Sequence, residues 1–227
     1  MTDHLQDAQV DQDAGVDADG GPGNRFLLLS ISSAAFACCV IAAFAGQWLT
    51  GVEAARDLVG SHLAESSTWI SGVLLTLPMF ALLFLERKSN VGWLRELWEL
   101  SFQVLGPIVA RVTFVELVAV SLFAGVGEEL LFRGFLQNWL GGHGLLVALI
   151  LPNVLFGILH WISPGYAACT FCIGLYFSCM LYFVDSVNLT ALMVAHTLYD
   201  LAALCFLARE VRRRASAVDS SVVVGHD

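Results

Sequence analysis

Charged side chains are scarce in this sequence. They make up 14% of its 227 residues, whereas soluble domains carry about 25%. Hydrophobic residues reach 57%, compared with roughly 45–50% in soluble domains. The composition therefore excludes an ordinary soluble domain. It predicts an all-α fold, a polytopic membrane helix bundle in which the helices pack against one another in lipid.

Basic residues are missing from the first 24 positions, which instead hold six aspartates. Because a signal peptide begins with a positively charged region, this segment is not predicted to be one. Its low hydrophobicity predicts a disordered acidic tail over residues 1–25. The negative charge also argues against nucleic acid as a partner.

A second cysteine pair is missing as well. All six cysteines lie in apolar runs, and only Cys169 and Cys172 form a CxxC motif. A structural zinc site of this kind needs two such pairs. The cysteines are therefore interpreted as small packing residues of helices.

Five apolar runs are long enough to predict membrane-spanning helices, which need about 20 such residues. They are residues 26–49, 68–85, 143–162, 165–184 and 189–208. Residues 86–106 differ, because Trp93 and Trp98 alternate with charged residues there. This pattern predicts an amphipathic helix at the membrane interface. With one further span in residues 107–140, the bundle has about six transmembrane helices.

The basic residues predict the orientation of these spans. Arg87, Lys88, Arg95 and Arg111 lie in one connecting region, and four arginines follow residue 208. The positive-inside rule assigns both regions, and both termini, to the cytoplasm. The membrane domain then covers residues 26–208, and a polar, frayed tail covers residues 209–227.

Several ionisable residues interrupt the apolar spans. Each costs about 2.5–3.5 kcal/mol at mid-membrane on insertion scales, so such residues are candidates for a functional site. The candidate catalytic residues are Glu128, Glu129, Arg133, His160, His196 and Asp200.

The spacing of these residues is helical. Glu129 and Arg133 are four positions apart, which predicts an ion pair on one helix face. His196 and Asp200 repeat that spacing. Glu128 points about 100° away from Glu129 and has no local partner. A buried ion pair that fixes helix packing explains Glu129 and Arg133 but leaves Glu128 unexplained.

Three motifs on successive helices resemble the CPBP family, the CAAX proteases and bacteriocin-processing (Abi) intramembrane proteases. They are Glu-Glu-x-x-x-Arg at 128–133, Phe-x-x-x-His at 156–160 and His-x-x-x-Asp at 196–200. The resemblance covers roughly residues 110–205. The sequence departs from the family at Asp200, since the third motif commonly ends in Asn.

The resemblance implies a glutamic-type intramembrane peptidase. Glu128 and His160 would activate a water, and His196 with residue 200 would stabilise the oxyanion. It also implies a membrane-associated peptide or protein substrate, a lipid bilayer around the chain, no cofactor or metal, and a prokaryotic inner membrane. The substrate could be a prenylated C-terminus, a leader peptide, a bacteriocin or a sorting tail.

The chemistry also predicts where one helix lies. If a helix ended at residue 127, Glu128 would lie at the opposite membrane face from His160, and the two could not meet. A helix over about 114–140 buries the glutamates partway across the membrane. Gly125 and Gly127 would then permit close helix approach beside the site.

Three other functions fit parts of the pattern. His160, His196 and a carboxylate could bind zinc in a metalloprotease, although an HExxH motif is missing. Intramembrane Glu and His residues also serve proton relays in transporters, although no inverted repeat is found. The third alternative is a catalytically silent membrane scaffold with the protease fold.

Overall fold

The computed structural model describes residues 22–52, 62–88 and 91–224, and all regular structure in these ranges is helical. The elements are α1 (Pro22–Thr50), α2 (Ser66–Lys88), α3 (Gly92–Val109), α4 (Phe114–Glu129), a π-helix (Leu130–Gln137), α5 (Asn138–Gly141), α6 (Leu145–Leu159), α7 (Pro164–Phe183) and α8 (Leu189–Val224). The predicted all-α membrane bundle is confirmed. The predicted acidic tail lies almost entirely outside the described residues.

Four of the described helices are long and apolar enough to cross a membrane, and the chain is an integral membrane protein. The four stretches are Phe26–Thr50, Ser66–Leu85, Pro164–Phe183 and Leu189–Ser216. A fifth crossing is possible if Gly92–Val109 and Phe114–Gly141, which are bent by 119° at their junction, count as one span.

The run 143–162, which the sequence predicted as a span, holds a shorter apolar helix. Helix α6 covers only 15 residues of it, about 22 Å at 1.5 Å per residue. It begins after Gly144, whose φ of 114° is left-handed, and it ends at His160. The helix is thus shorter than the membrane core of about 30 Å, and the residue after it, His160, lies beside Glu128 of α4.

The helix predicted over about 114–140 is confirmed, since α4, the π-helix and α5 run continuously from Phe114 to Gly141. Thr113 and Glu116 form a capping box at its start: the Glu116 amide donates to Thr113 Oγ1, and the Thr113 amide donates to Glu116 Oε2 at 2.7 Å. The Thr-x-x-Glu spacing in the sequence is the usual signal for this arrangement.

Helix α8 is the centre of the bundle and packs against α2, α3 and α4. A Cβ added at Gly125 in α4 would lie 2.3 Å from Thr197 Oγ1 and 2.8 Å from the Thr197 backbone nitrogen in α8. Gly127 approaches Phe36 of α1 in a similar way. Both glycines thus permit the close helix approach that the sequence predicted.

The helix of the last predicted span, residues 189–208, continues past residue 208, since α8 extends as one helix to Val224. Side chains in the predicted frayed tail contact the neighbouring helix. Arg214 donates from Nη1 and Nη2 to the carboxylate of Glu99 in α3, each at 3.1 Å. Arg212 donates to the carbonyl oxygen of Val112 at 3.1 Å. These contacts hold the junction of α3 and α4 against α8.

Candidate active site

All six candidate residues meet at the centre of the bundle. They come from three parts of the chain: the end of α4 with the adjoining π-helix, the end of α6, and the third and fourth turns of α8. The residues are Glu128, Glu129, Arg133, His160, His196 and Asp200.

Glu129 and Arg133 form the ion pair that their spacing predicts. Arg133 Nη1 donates to Glu129 Oε1 at 3.0 Å, and both side chains are 0% exposed. The guanidinium also lies over the ring of Phe156, 5.0 Å from its centroid. The π-helix begins directly after Glu129, and π-helical turns are frequent at functional sites.

Glu128 finds its partners on other helices. Its Oε2 lies 3.8 Å from His160 Nε2 and 3.8 Å from His196 Nε2. These distances exceed those of direct hydrogen bonds. The same oxygen is buried and accepts no hydrogen bond from any residue that the structure describes. One carboxylate oxygen and two imidazole nitrogens thus converge without bonding one another.

The hydrogen bond of His160 identifies its reactive nitrogen. His160 Nδ1 lies 2.8 Å from the carbonyl oxygen of Phe156, one turn earlier in α6. A carbonyl oxygen only accepts, so Nδ1 carries the proton. In the neutral ring, Nε2 therefore has a free lone pair, and this nitrogen faces Glu128.

His196 is held by Glu129. Its Nδ1 lies 2.8 Å from Glu129 Oε1, and since a carboxylate only accepts, Nδ1 is again the donor. The Oδ2 atom of Asp200 lies 3.6 Å from Nε2, beyond hydrogen-bond range. The hydrogen-bond partner of the His196 ring is therefore Glu129 and not Asp200. The bonding partner lies on another helix, and spacing along one helix cannot reveal it.

Three residues that the sequence reasoning missed surround Arg133. Its Nη2 donates to Asn153 Oδ1 at 3.1 Å and to the carbonyl oxygen of Gly174 at 2.9 Å. Asn153 in turn donates to Ser178 Oγ at 2.7 Å. An amide in the otherwise apolar run of α6 was the available signal for Asn153.

The site lines a cavity of about 320 Å³. Glu128, His160, His196 and Asp200 form its polar wall, and Tyr166 also lines it. Most of the remaining lining is apolar and comes from α1, α2, α3, α4 and α8. Among the described residues, no group of three or more His, Cys, Asp or Glu side chains is arranged to hold a metal ion.

Fold and site together define a class: polytopic membrane proteins in which acids and imidazoles meet at the wall of an apolar cavity. The family model for type II CAAX prenyl endopeptidases (Rce1-like) matches residues 110–202, and this match confirms the resemblance to the CAAX-protease family. The matched segment begins just before α4 and ends two residues after Asp200. No curated protein and no solved structure matches the chain. The match supports a CAAX-type protease that acts on a membrane-associated protein.

Proposed function

We propose that this chain is an intramembrane endopeptidase that hydrolyses a peptide bond of a membrane-associated protein with a water activated by Glu128 and His160. The observation that carries the proposal is the convergence of Glu128 Oε2 with Nε2 of His160 and of His196 at 3.8 Å each. The match to CAAX prenyl endopeptidases supports the same reaction.

Glu128 and His160 act on the water. A water between Glu128 Oε2 and His160 Nε2 can donate one hydrogen to each, because both atoms accept. Proton transfer to Glu128 leaves a hydroxide equivalent that adds to the scissile carbonyl carbon. His160 Nε2 then takes this proton from Glu128 and donates it to the leaving amine as the carbon–nitrogen bond breaks, which returns both residues to their starting states.

His196 and Asp200 stabilise the oxyanion. Glu129 holds the proton of His196 on Nδ1, so Nε2 donates only from the doubly protonated ring. Asp200, at 3.6 Å from Nε2, supplies negative charge that stabilises this cationic ring. A donor positioned in advance in a site of low polarity is worth far more than the same donor in water.

The substrate segment next to the scissile bond is apolar. The cavity beside the four polar residues is lined by side chains such as Met79, Leu83 and Leu105. An extended apolar peptide entering from the bilayer would bury these surfaces on binding. This agrees with a substrate that is itself held in the membrane.

The substrate is testable by comparing protein termini in cells. Membrane proteins from cells that make the parent chain, Glu128→Gln or Glu65→Gln are compared by peptide mass analysis. Glu65 is exposed and pairs with His62 outside the site, so the same change there is a matched control. New termini in the parent and Glu65→Gln cells, missing in Glu128→Gln cells, identify the substrate. Identical termini in all three contradict the proposal.

The glutamate mechanism and the zinc mechanism differ in their response to chelators. We expect activity to survive prolonged chelation, and we expect the purified chain to lack stoichiometric zinc. One zinc per chain, with activity lost on its removal and recovered on its return, supports the metalloprotease instead.

A further inference from the structure

Asn153 is a fully buried polar residue of α6, two helical turns before His160. It does not line the cavity that the described residues form. Its side chain nevertheless makes three hydrogen bonds, from Arg133 and to Ser178 and the carbonyl oxygen of Leu149. A buried amide needs such partners, and here they satisfy the oxygen and both N–H groups of the side chain.

The chemistry of the partners fixes the orientation of this amide. Arg133 only donates, so the atom facing its Nη2 at 3.1 Å is Oδ1. The carbonyl oxygen of Leu149 only accepts, so the atom 2.7 Å from it is Nδ2. Both conditions agree on one orientation, and rotation of the amide would break both bonds.

The guanidinium of Arg133 is thereby fixed in space. Nη2 is held by Asn153 of α6 and by the carbonyl oxygen of Gly174 of α7, and Nη1 is then directed at Glu129. A Cβ at Gly174 would lie 2.5 Å from Asn153 Oδ1 and 3.0 Å from Arg133 Nη2. Only a glycine leaves room for both contacts.

One oxygen connects this network to the reactive histidine. Glu129 Oε1 accepts from Arg133 Nη1 at 3.0 Å and lies 2.8 Å from His196 Nδ1. The negative charge of Glu129 is thus divided between a permanent cation and an imidazole. The closer Arg133 lies to Glu129, the more of this negative charge it neutralises, and the less of the charge acts on the His196 ring.

We propose that Asn153 is a positioning residue of the reaction: by holding Arg133 against Glu129, it sets the charge and the orientation of the His196 ring. The role of His196 in hydrolysis rests on the proposed function, whereas the link from Asn153 to the ring is measurable without any substrate.

The direction of the effect follows from the groups around His196. Glu128 and Glu129 face it from α4 and Asp200 from its own helix, while His160 lies across Glu128. Helices α6 and α7 contribute the rings of Phe156 and Phe177. Loosening Arg133 leaves more of the negative charge of Glu129 to the ring, so His196 keeps its second proton to higher pH.

Two substitutions of similar size separate this role from packing. Asn153→Leu removes the acceptor for Arg133. Asn153→Asp keeps an acceptor but adds a negative charge that competes with Glu129 for Arg133. The control is Thr76→Val, which removes a buried hydroxyl whose bond, among the described residues, stays within its own helix at the carbonyl oxygen of Gly72.

The measurement is the titration of His196 by NMR in the full-length, histidine-labelled chain in detergent, with His196→Gln assigning the signal. We expect both Asn153 variants to move the midpoint of the His196 titration upward by roughly half a pH unit or more. A full contact with an opposite charge shifts such a midpoint by about 1–3 pH units. Thr76→Val should leave the midpoint in place.

Folding is followed separately by thermal melting of the same samples. If Asn153→Leu does not fold, Asn153→Asp carries the test, because it retains the bond from Arg133. An unmoved His196 midpoint in a folded Asn153 variant overturns the proposal, whatever happens to stability. A moved midpoint in a chain without peptidase activity supports the positioning role and contradicts only the proposed function.

Discussion

At the scale of single residues, one oxygen of Glu129 connects two parts of the site. Its Oε1 bonds both Arg133 and His196, although the two lie on different elements. The sequence predicted the first contact because both partners share one helix face. It could not predict the second, because the approach of α8 to α4 depends on packing along the whole bundle.

Arg133→Ala should lower both stability and activity. The change leaves the buried carboxylate of Glu129 without its cation, which costs about 3–5 kcal/mol. The matched control is Arg213→Ala, since Arg213 pairs with Glu210 but its side chain is 69% exposed. An exposed ion pair contributes up to about 1 kcal/mol. Thermal melting in detergent checks the comparison, and equal melting temperatures of the two variants would rule out the stabilising role of the buried pair.

Asp200→Asn should remain active, whereas Asp200→Ala should lose at least about 10-fold in hydrolysis rate. This loss is smaller than the roughly 10²–10³-fold loss that follows removal of an oxyanion donor. An asparagine can donate to the oxyanion itself, and an alanine can neither donate nor stabilise a charged His196. Initial rates of the two purified variants test this. If Asp200→Ala matches the parent, residue 200 is a packing position.

At the scale of elements, the geometry of the site depends on where one helix ends and on where another continues. Helix α6 stops at His160 inside the bundle, and the long helix from Phe114 carries both glutamates partway along its length. The chemistry predicted the second feature, because Glu128 and His160 had to meet. Hydropathy could not predict the first, since residues beyond α6 such as Trp161 and Ile162 are also apolar.

Gly125→Ala should destabilise the bundle and displace His196. The new Cβ would meet the backbone of Thr197 at 2.8 Å, which cannot move without shifting α8. Overpacking of this kind costs about 1–3 kcal/mol. In the control Gly92→Ala, no atom lies within 4 Å of the new Cβ. Melting temperature and activity should fall only for Gly125→Ala; equal behaviour of the two would show that α4 and α8 do not meet closely at this glycine.

Polar contacts between helices were the features of the fold that the sequence predicted least well. Asn153, Gly174 and Ser178 lie far apart in sequence from Arg133, and no periodicity connects them to it. The same holds for Arg214 and Glu99, whose contact lies past residue 208 in the segment predicted as a polar tail. Residue types and helix faces could be read from the sequence, but their pairing required the packed bundle.

At the scale of the whole molecule, the basic end of α8 and the junction of α3 and α4 lie together. Arg212 donates to the carbonyl oxygens of Ala110 and Val112 in the junction, and Arg214 donates to Glu99 of α3. The two basic regions therefore lie at one end of the bundle, and it stays a prediction that this end and both termini face the cytoplasm.

Reporter fusions test this orientation. A reporter that is active only outside the cytoplasm should be silent at either terminus and active when inserted between Thr50 and Ser66. Reporter activity at a terminus, together with a silent insertion between Thr50 and Ser66, would contradict the predicted topology. Insertion of the same reporter after Lys88 is the matched control and should be silent.

The central claim, that Glu128 activates the water, is tested most directly by the hydrolysis rate of Glu128→Gln. The parent, Glu128→Gln and Glu65→Gln are purified in detergent, checked for folding by melting temperature, and given the peptide that the termini comparison identifies. Because glutamine keeps the shape of the side chain but cannot accept the proton, we expect Glu128→Gln to lose at least about 10²-fold, the low end for a lost general base. Glu65→Gln should match the parent. Turnover by a folded Glu128→Gln at the parent's rate would contradict the account.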